Sequence, residues 1–306
     1  MDEVTNLNHR FAINGHLSFE VGENGLLMAN IQNAYAQAEI MLQGAHILTY
    51  QPVDDAPLIW LSPKAKYLPG KAVRGGVPIC WPWFGNYESG NPETDKNYPA
   101  HGIARTGMWE VINSEMLPNG ATRITFALLM DEAAARLWPH PSALHYIVTV
   151  GRDLILELVT HNTGSSPFTI SEALHTYFVI GDIDATQVSG LEGCAYIDKV
   201  DGFKRKTEPE KVTVTSEIDR VYLNTTEDCI IEDHKLHRNI LVAKTGSDTT
   251  VVWNPWAEKA AQMADMGEGS YRGMLCVESA NAAENAVTVA PGTHHSMCVV
   301  YAVQRG

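Results

Sequence analysis

Arg74 and Arg105 are the residues from which chemistry can first be argued in this 306-residue chain. Arg74 lies in KAVRGGVPICWPWFG and Arg105 in HGIARTGMW, and glycine and proline crowd both settings. Those two residue types fix unusual backbone paths. Loops so constrained aim side chains, and binding residues concentrate on loops carried by a rigid scaffold. An arginine fork suits phosphate, carboxylate or vicinal hydroxyls. The stretch from Gly70 to Trp109 therefore predicts a surface that grips an anion or a sugar. Trp81, Trp83 and Phe84 are candidates for a wall against a sugar ring, although core packing is the commoner fate of such aromatics. The plain alternative for Arg74 is a surface arginine bonded to carbonyls at the Gly75-Gly76 turn.

Three further residue types suit proton transfer or hydroxyl recognition. His101 opens HGIAR, close to an arginine and two glycines, although a lone histidine is more often satisfied in a core or turn. His175 lies in the apolar segment SEALHTYF. A histidine is the natural proton donor near neutral pH, and a buried, hydrogen-bonded one would look the same. Glu278 follows the apolar run Met274 to Val277 and precedes small residues. That pattern predicts a carboxylate aimed from a strand end, or simply a solvated strand terminus. Asp219 in SEIDRVYLN is less distinctive, and a surface salt bridge with Arg220 accounts for it equally well.

The elements that must position these groups read mostly as strands. ATRITFALLM (121–130) alternates polar and apolar residues. HYIVTVGRDLILELVTHNTG (145–164) reads as two strands joined at Gly151-Arg152-Asp153. Tyr146, Val148 and Val150 keep a period of two in the first, and Leu154, Leu156 and Leu158 in the second. AVTVAPGTHHSMCVVYAV (286–303) is a further pair around Pro291-Gly292, and KVTVTSE (211–217) and TTVVWNP (249–255) add short strands. Helix is predicted in NPWAEKAAQMADMG (254–267), with Asn254 as cap, Pro255 in the first turn and Gly267 at the end. DEAAARLWP (131–139) predicts one or two turns stopped by Pro139. Many short strands with turn punctuation indicate an all-β fold, a large antiparallel β-sandwich, in one domain spanning residues 1–306.

Composition narrows the function classes. At 45% hydrophobic and 19% charged the chain is an ordinary soluble globular protein. It has no run of about 18 apolar residues, so no membrane span is expected. The N-terminus lacks the basic start and apolar stretch of a signal peptide, which predicts a cytoplasmic protein. A formal net charge of −14 would repel polyanions, so nucleic acid is not an expected partner. A small anion needs only a locally positive pocket. The five cysteines, Cys80, Cys194, Cys229, Cys276 and Cys298, form no CxxC pair. Neither a disulfide framework nor a structural zinc site is expected. No GxSxG elbow, phosphate-binding Walker loop, GxGxxG or HExxH motif occurs, so no metal or nucleotide cofactor is expected.

The motifs together resemble the aldose 1-epimerase (galactose mutarotase-like) superfamily, and within it the glucose-6-phosphate 1-epimerase branch. The resemblance rests on RGGVPICWPWFG (74–85), HGIARTGMW (101–109), WPHPSALHYIVTVG (138–151), EALHTYFVIGDI (172–183), VSGLEGCAYIDKV (188–200), WNPWAEKAAQMADM (253–266) and CVESANA (276–282). They run in the family's order over roughly residues 20 to 303. The resemblance implies a β-supersandwich holding a sugar on its concave face. It implies His175 as general acid and Glu278 as general base in exchange of the α and β anomers of an aldohexose 6-phosphate. It places substrate phosphate and hydroxyls at Arg74 and Arg105, Asp219 on a sugar hydroxyl, and His101 beside the sugar. No cofactor is implied, since nothing is oxidised and no group is transferred. Ala100 stands where the family pattern often has a substrate-touching Gln. Mutarotation of an unphosphorylated hexose, and sugar-phosphate binding without catalysis, remain the alternatives.

Overall fold

The computed structural model describes residues 2–89 and 92–305. Among these residues the strands form two antiparallel eight-stranded sheets, a four-stranded sheet and a two-stranded one. The first large sheet runs in the order Lys204–Thr207, Ala195–Asp198, Ile218–Leu223, Thr249–Asn254, Met274–Asn281, Glu172–Leu174 and Ile79–Cys80. The short strand Tyr177–Val179 also pairs with Met274–Asn281. The second runs Thr186–Ser189, Cys229–Asp233, Arg238–Thr245, His294–Gln304, Leu154–Asn162, Ser142–Val150, Thr122–Leu128 and Trp109–Met116.

The period of two explains the second sheet. Tyr146, Val148, Val150, Leu154, Leu156 and Leu158 are all fully buried against the main core. The two large sheets meet there. Phe178 packs edge-on against Tyr301 at 5.0 Å, the Thr176 hydroxyl lies 2.6 Å from the Tyr301 hydroxyl, and Trp81 Nε1 donates to Thr160 Oγ1 at 3.0 Å. Phe19, Ile31, Ile40 and Tyr50 of the four-stranded sheet join the same core.

The first large sheet is covered on both faces. Every residue of Met274–Asn281 is buried. Leu275 and Val277 point into the main core, while Cys276 and Ala280 belong to apolar clusters on the other face. Glu278 therefore sits mid-strand, paired opposite Val251, and not at a strand end. The apolar run continues past it because both sides of the strand are packed.

Local structure departs from sequence expectation elsewhere. KVTVTSE forms no strand; Val212 makes a single bridge to Val188. The helix in 254–267 covers only Trp256–Gln262. Asn254 Oδ1 does accept from the Trp256 amide at 2.8 Å, but the turn ends at Met263, ahead of Gly267. The helix Glu132–Leu137 forms as expected, with Asp131 accepting from the Ala134 amide. The structure adds a helix over Glu3–Phe11, capped by Asp2, with Leu7 and Phe11 buried.

One buried ion pair ties the two large sheets together. Glu172, fully buried, faces His295 Nε2 at 3.0 Å and accepts from Asn281 Nδ2 at 3.1 Å. Burial alone would lower the His295 pKa, but the Glu172 hydrogen bond and charge outweigh it and hold the pKa above its ordinary value. A raised imidazole pKa contributes stability that is complete below the ordinary range and is lost as pH rises through the raised value. Urea unfolding should therefore show stability falling as pH rises from the ordinary imidazole range through the raised His295 pKa. Glu172→Gln should cost at least about 1 kcal/mol and flatten that drop. An undiminished drop in Glu172→Gln would place its source elsewhere.

Candidate active site

The site begins at the Arg74-Gly75-Gly76 turn. Gly75 and Gly76 have φ of 104° and 72°, in the left-handed region that favours glycine. The Gly76 amide donates to the Trp60 carbonyl at 2.7 Å, and its carbonyl accepts from the Tyr177 amide at 3.0 Å. Buried His46 donates from Nε2 to the Gly75 carbonyl at 2.8 Å. The turn is thus fastened on three sides, and Arg74 leaves it in a fixed direction. Its Nη1 donates to the Tyr177 hydroxyl at 3.0 Å and its Nε to Asp265 Oδ1 at 3.3 Å.

The second constrained loop carries His101 and Arg105. His101 has φ of 64°, uncommon for a residue with a Cβ. Its amide donates to the Gly85 carbonyl at 2.6 Å, and its Nδ1 accepts from the Gly85 amide and lies 3.3 Å from Cys80 Sγ. Arg105 Nη2 donates to the Ala100 carbonyl at 2.6 Å, so Ala100 acts through its main chain.

His175 sits between Glu172–Leu174 and Tyr177–Val179, its amide bonded to the Pro78 carbonyl at 2.9 Å. Its ring stacks on Tyr177 at 5.0 Å, Tyr177 stacks on Trp60 at 5.8 Å, and Trp253 meets His175 and Tyr177 edge-on. His175 Nδ1 lies 3.3 Å from Glu278 Oε1, with side-chain exposures of 13% and 1%. The pair is therefore nearly dry yet reachable from the His175 side.

His101 completes the connection. Its ring lies 5.7 Å from His175 and 5.1 Å from Phe84, and the Lys199 ammonium stands 5.6 Å over Phe84. Lys199 Nζ pairs with Asp219 Oδ2 at 3.0 Å. Asp219 thus takes Lys199, and not Arg220, as its partner. Arg220 is the next residue along the strand and so faces the opposite side, where it bonds Glu208 and Tyr222. Of the three aromatics near Arg74, Phe84 alone faces the site. Trp81 is fully buried against Trp138, and Trp83 packs on Tyr87 and Tyr98.

The electrostatics follow from burial inside a cationic rim. Burial pushes the Glu278 carboxyl well above its ordinary pKa; nearby Asp219 adds to the shift and Lys199 opposes it. Burial pushes His175 well below its ordinary value, helped by His101, Arg105 and Arg74. These directions are the reverse of those for a permanently ionised carboxylate beside a permanent imidazolium. Burial instead favours the neutral form of each group. Burial, Arg105, Lys199 and Arg74 lower His101 to about 3, so it acts as a neutral hydrogen-bonding ring.

All six residues singled out from sequence therefore fall in one connected neighbourhood. Sequence reading missed Lys199, Tyr177, Asp265, Trp60 and Trp253. Tyr177, Lys199, Trp253 and Asp265 stand inside the quoted motifs, and only Trp60 lies outside them, but nothing in their residue types or spacing says which side chains of a motif turn toward the site. Among the described residues, the group able to hold a metal is His175, Cys276 and Glu278, with donor atoms all within 4.8 Å of one another.

With the geometry set out, comparison with known proteins becomes decisive. The aldose 1-epimerase family model matches residues 28–302. The chain belongs to the aldose 1-epimerase family. A protein of Escherichia coli K12, provisionally named glucose-6-phosphate 1-epimerase, is 36% identical over 255 residues, covering 83% of each chain. The crystal structure of a provisionally assigned mutarotase, YeaD from Salmonella typhimurium, superposes with a TM-score of 0.88 at 32% identity, covering 97% of this chain and 96% of that one. A galactose mutarotase-related enzyme of Lactobacillus acidophilus shares the fold alone, at TM-score 0.71 and 13% identity over 90% of this chain and 97% of that one. This aldose 1-epimerase is an isomerase that exchanges anomers, on an antiparallel galactose mutarotase-like sandwich. No helix among the described residues is long and apolar enough to cross a membrane.

The turn that aims Arg74 gives a direct test. A Cβ on Gly76 would lie 2.3 Å from His46 Nε2 and 2.4 Å from the Ile47 carbonyl oxygen, whereas one on Gly70, with the same φ of 72°, would meet nothing within 4 Å. Both substitutions carry left-handed strain of about 1–2 kcal/mol. Gly76→Ala should destabilise the epimerase by clearly more than Gly70→Ala in urea unfolding. Equal losses would show that the close approach at Gly76 does not matter.

Proposed function

We propose that this epimerase interconverts the α and β anomers of an aldohexose 6-phosphate, with Glu278 as base and His175 as acid. The observation that carries the reading is the 3.3 Å contact between these two groups, nearly excluded from water, beside Arg74, Arg105 and Lys199. The relatives named glucose-6-phosphate 1-epimerase support the choice of substrate.

The reaction removes the O1 proton and adds one to the ring oxygen O5. The C1–O5 bond breaks as C1=O1 forms, rotation about C1–C2 presents the other carbonyl face, and reclosure runs the transfers backwards. Before sugar binds, burial favours the neutral forms of both groups. A bound sugar shifts that balance. Its O1 hydroxyl donates to the carboxylate and its O5 accepts from the imidazolium, and each bond favours the charged form. The carboxylate then takes the O1 proton while His175 protonates O5. The proton count of site plus sugar is unchanged in both directions.

Arg105 is the better placed of the two arginines for phosphate. Its guanidinium donates to the neutral Ala100 carbonyl, whereas Arg74 is engaged by Asp265 and Tyr177. In this reading Asp219 and neutral His101 accept and donate to ring hydroxyls. The engagement of Arg74 favours a second reading, in which it positions Tyr177 and a free hexose is the substrate.

Anomer exchange followed by NMR tests the catalytic assignment. His175→Ala and Glu278→Gln should each slow exchange at least about 10²-fold, the lower range for removing a general acid or base. Near-normal exchange in either folded variant would remove that residue from the mechanism.

Arg105→Ala separates the two substrate readings. A charge-assisted contact is worth about 1.5–3 kcal/mol, so the variant should bind hexose 6-phosphate about 10- to 100-fold more weakly. Its effect on free hexose should be far smaller, and added salt should weaken only the phosphosugar. Equal loss for both sugars, or wild-type preference for a free hexose, would assign the enzyme to unphosphorylated aldoses.

A further inference from the structure

The acid/base pair has a third close neighbour that takes no part in the proton transfers. Cys276 lies two residues before Glu278 on the strand Met274–Asn281, so both side chains leave the same face. Its Sγ, a ring nitrogen of His175 and a carboxylate oxygen of Glu278 all lie within 4.8 Å of one another. Cys276 is fully buried and free of any disulfide. His175 Nδ1 and Glu278 Oε2, both buried, make no hydrogen bond.

These are the donors a thiophilic cation takes. Zinc binds Cys sulfur at about 2.3 Å and His nitrogen or carboxylate oxygen at about 2.0–2.2 Å, so donors around a tetrahedral ion stand about 3.3–3.8 Å apart. The His175–Glu278 separation of 3.3 Å is already in that range. A side-chain adjustment of about 1 Å brings in any donor at the outer limit.

We propose that a thiophilic divalent cation, zinc above all, binds at His175, Cys276 and Glu278 and inhibits the enzyme. The inhibitory half rests on the reading of His175 and Glu278 as acid and base; the binding half needs only the donor geometry. A bound cation would occupy the His175 lone pair and a Glu278 oxygen, the atoms that would otherwise move protons. The thiol proton leaves to solvent on coordination, and water fills the fourth position. Charge and softness set the selectivity. Arg74, Arg105 and Lys199 surround the site and repel cations generally, so only an ion that gains a thiolate bond overcomes them. Magnesium and calcium, which take oxygen donors, do not.

Cobalt(II) supplies a readout independent of turnover. Titrated into the metal-free full chain, it should produce a near-ultraviolet thiolate charge-transfer band and intense visible bands of tetrahedral coordination. Cys276→Ser should abolish the charge-transfer band, Cys80→Ser should keep it, and His175→Gln should weaken cobalt binding at least about tenfold. In the activity arm, zinc should inhibit anomer exchange in competition with sugar. Cys276→Ala should keep its basal rate and lose zinc sensitivity by at least about tenfold. A charge-transfer band that never forms, or that survives Cys276→Ser, overturns the site. Undiminished zinc inhibition of Cys276→Ala overturns the inhibitory mechanism, as does activity lost to chelation and restored by zinc. If the wild type exchanges no anomers, the acid/base reading fails while the cobalt spectrum still decides the metal site.

Discussion

Everything at the site depends on keeping a carboxyl group dry in the middle of a strand. Glu278 is held by backbone pairing on both sides of Met274–Asn281 and by apolar packing above and below the sheet. Such a position disfavours charge, and the cost is offset only by a partner at the right distance. His175 supplies that partner at 3.3 Å, and its own burial makes it equally reluctant to hold a charge. The outcome is a pair in which burial favours the neutral form of both groups. A surface pair of the same residues would sit at its ordinary ionisation and gain little from a sugar.

The rest of the molecule reads as the means of holding that pair still. The aromatic column of Trp60, Tyr177 and His175 fixes the imidazole plane, with Trp253 closing its edge. The Gly75-Gly76 turn locks onto Trp60 and Tyr177 by main-chain bonds, so the arginine turn and the aromatic column are one unit. Behind the sheet, the main core and the buried Glu172–His295 pair join it to the second sheet. The site thus stands on strands and on loops fastened by main-chain bonds, which holds its side chains in fixed relative positions.

Charge is arranged in the opposite sense from the protein as a whole. The chain carries a formal charge of −14, yet Arg74, Arg105 and Lys199 converge near His175 and Glu278. Two of the three are balanced locally, Arg74 by Asp265 and Lys199 by Asp219. Local pairing lets a cationic rim persist beside a buried imidazole without a large unscreened repulsion. Arg105 instead donates to the neutral Ala100 carbonyl.

The sequence by itself determined the fold class and singled out candidate residues that the fold then brings into one neighbourhood. Alternation at Tyr146–Val148–Val150 and Leu154–Leu156–Leu158 specifies strands with one buried face, because a period of two can bury one side only of a pleated chain. The ordered motifs around Arg74, His101, His175 and Glu278 singled out those positions. Sequence could not say that Glu278 lies mid-strand, since an apolar run looks alike whether it ends at a carboxylate or is packed on both faces beyond it. Nor could it assign Asp219 to Lys199 over its neighbour Arg220. That choice depends on which face of the strand each side chain leaves and on a loop that returns Lys199 to that face. Whether KVTVTSE becomes a strand was equally beyond reach, because β-propensity is realised only where a pairing edge is free to take it. The proton balance of His175 and Glu278 was decided last and wholly by tertiary structure. It follows from distance and dehydration, and neither quantity exists until strands far apart in the chain have been brought together.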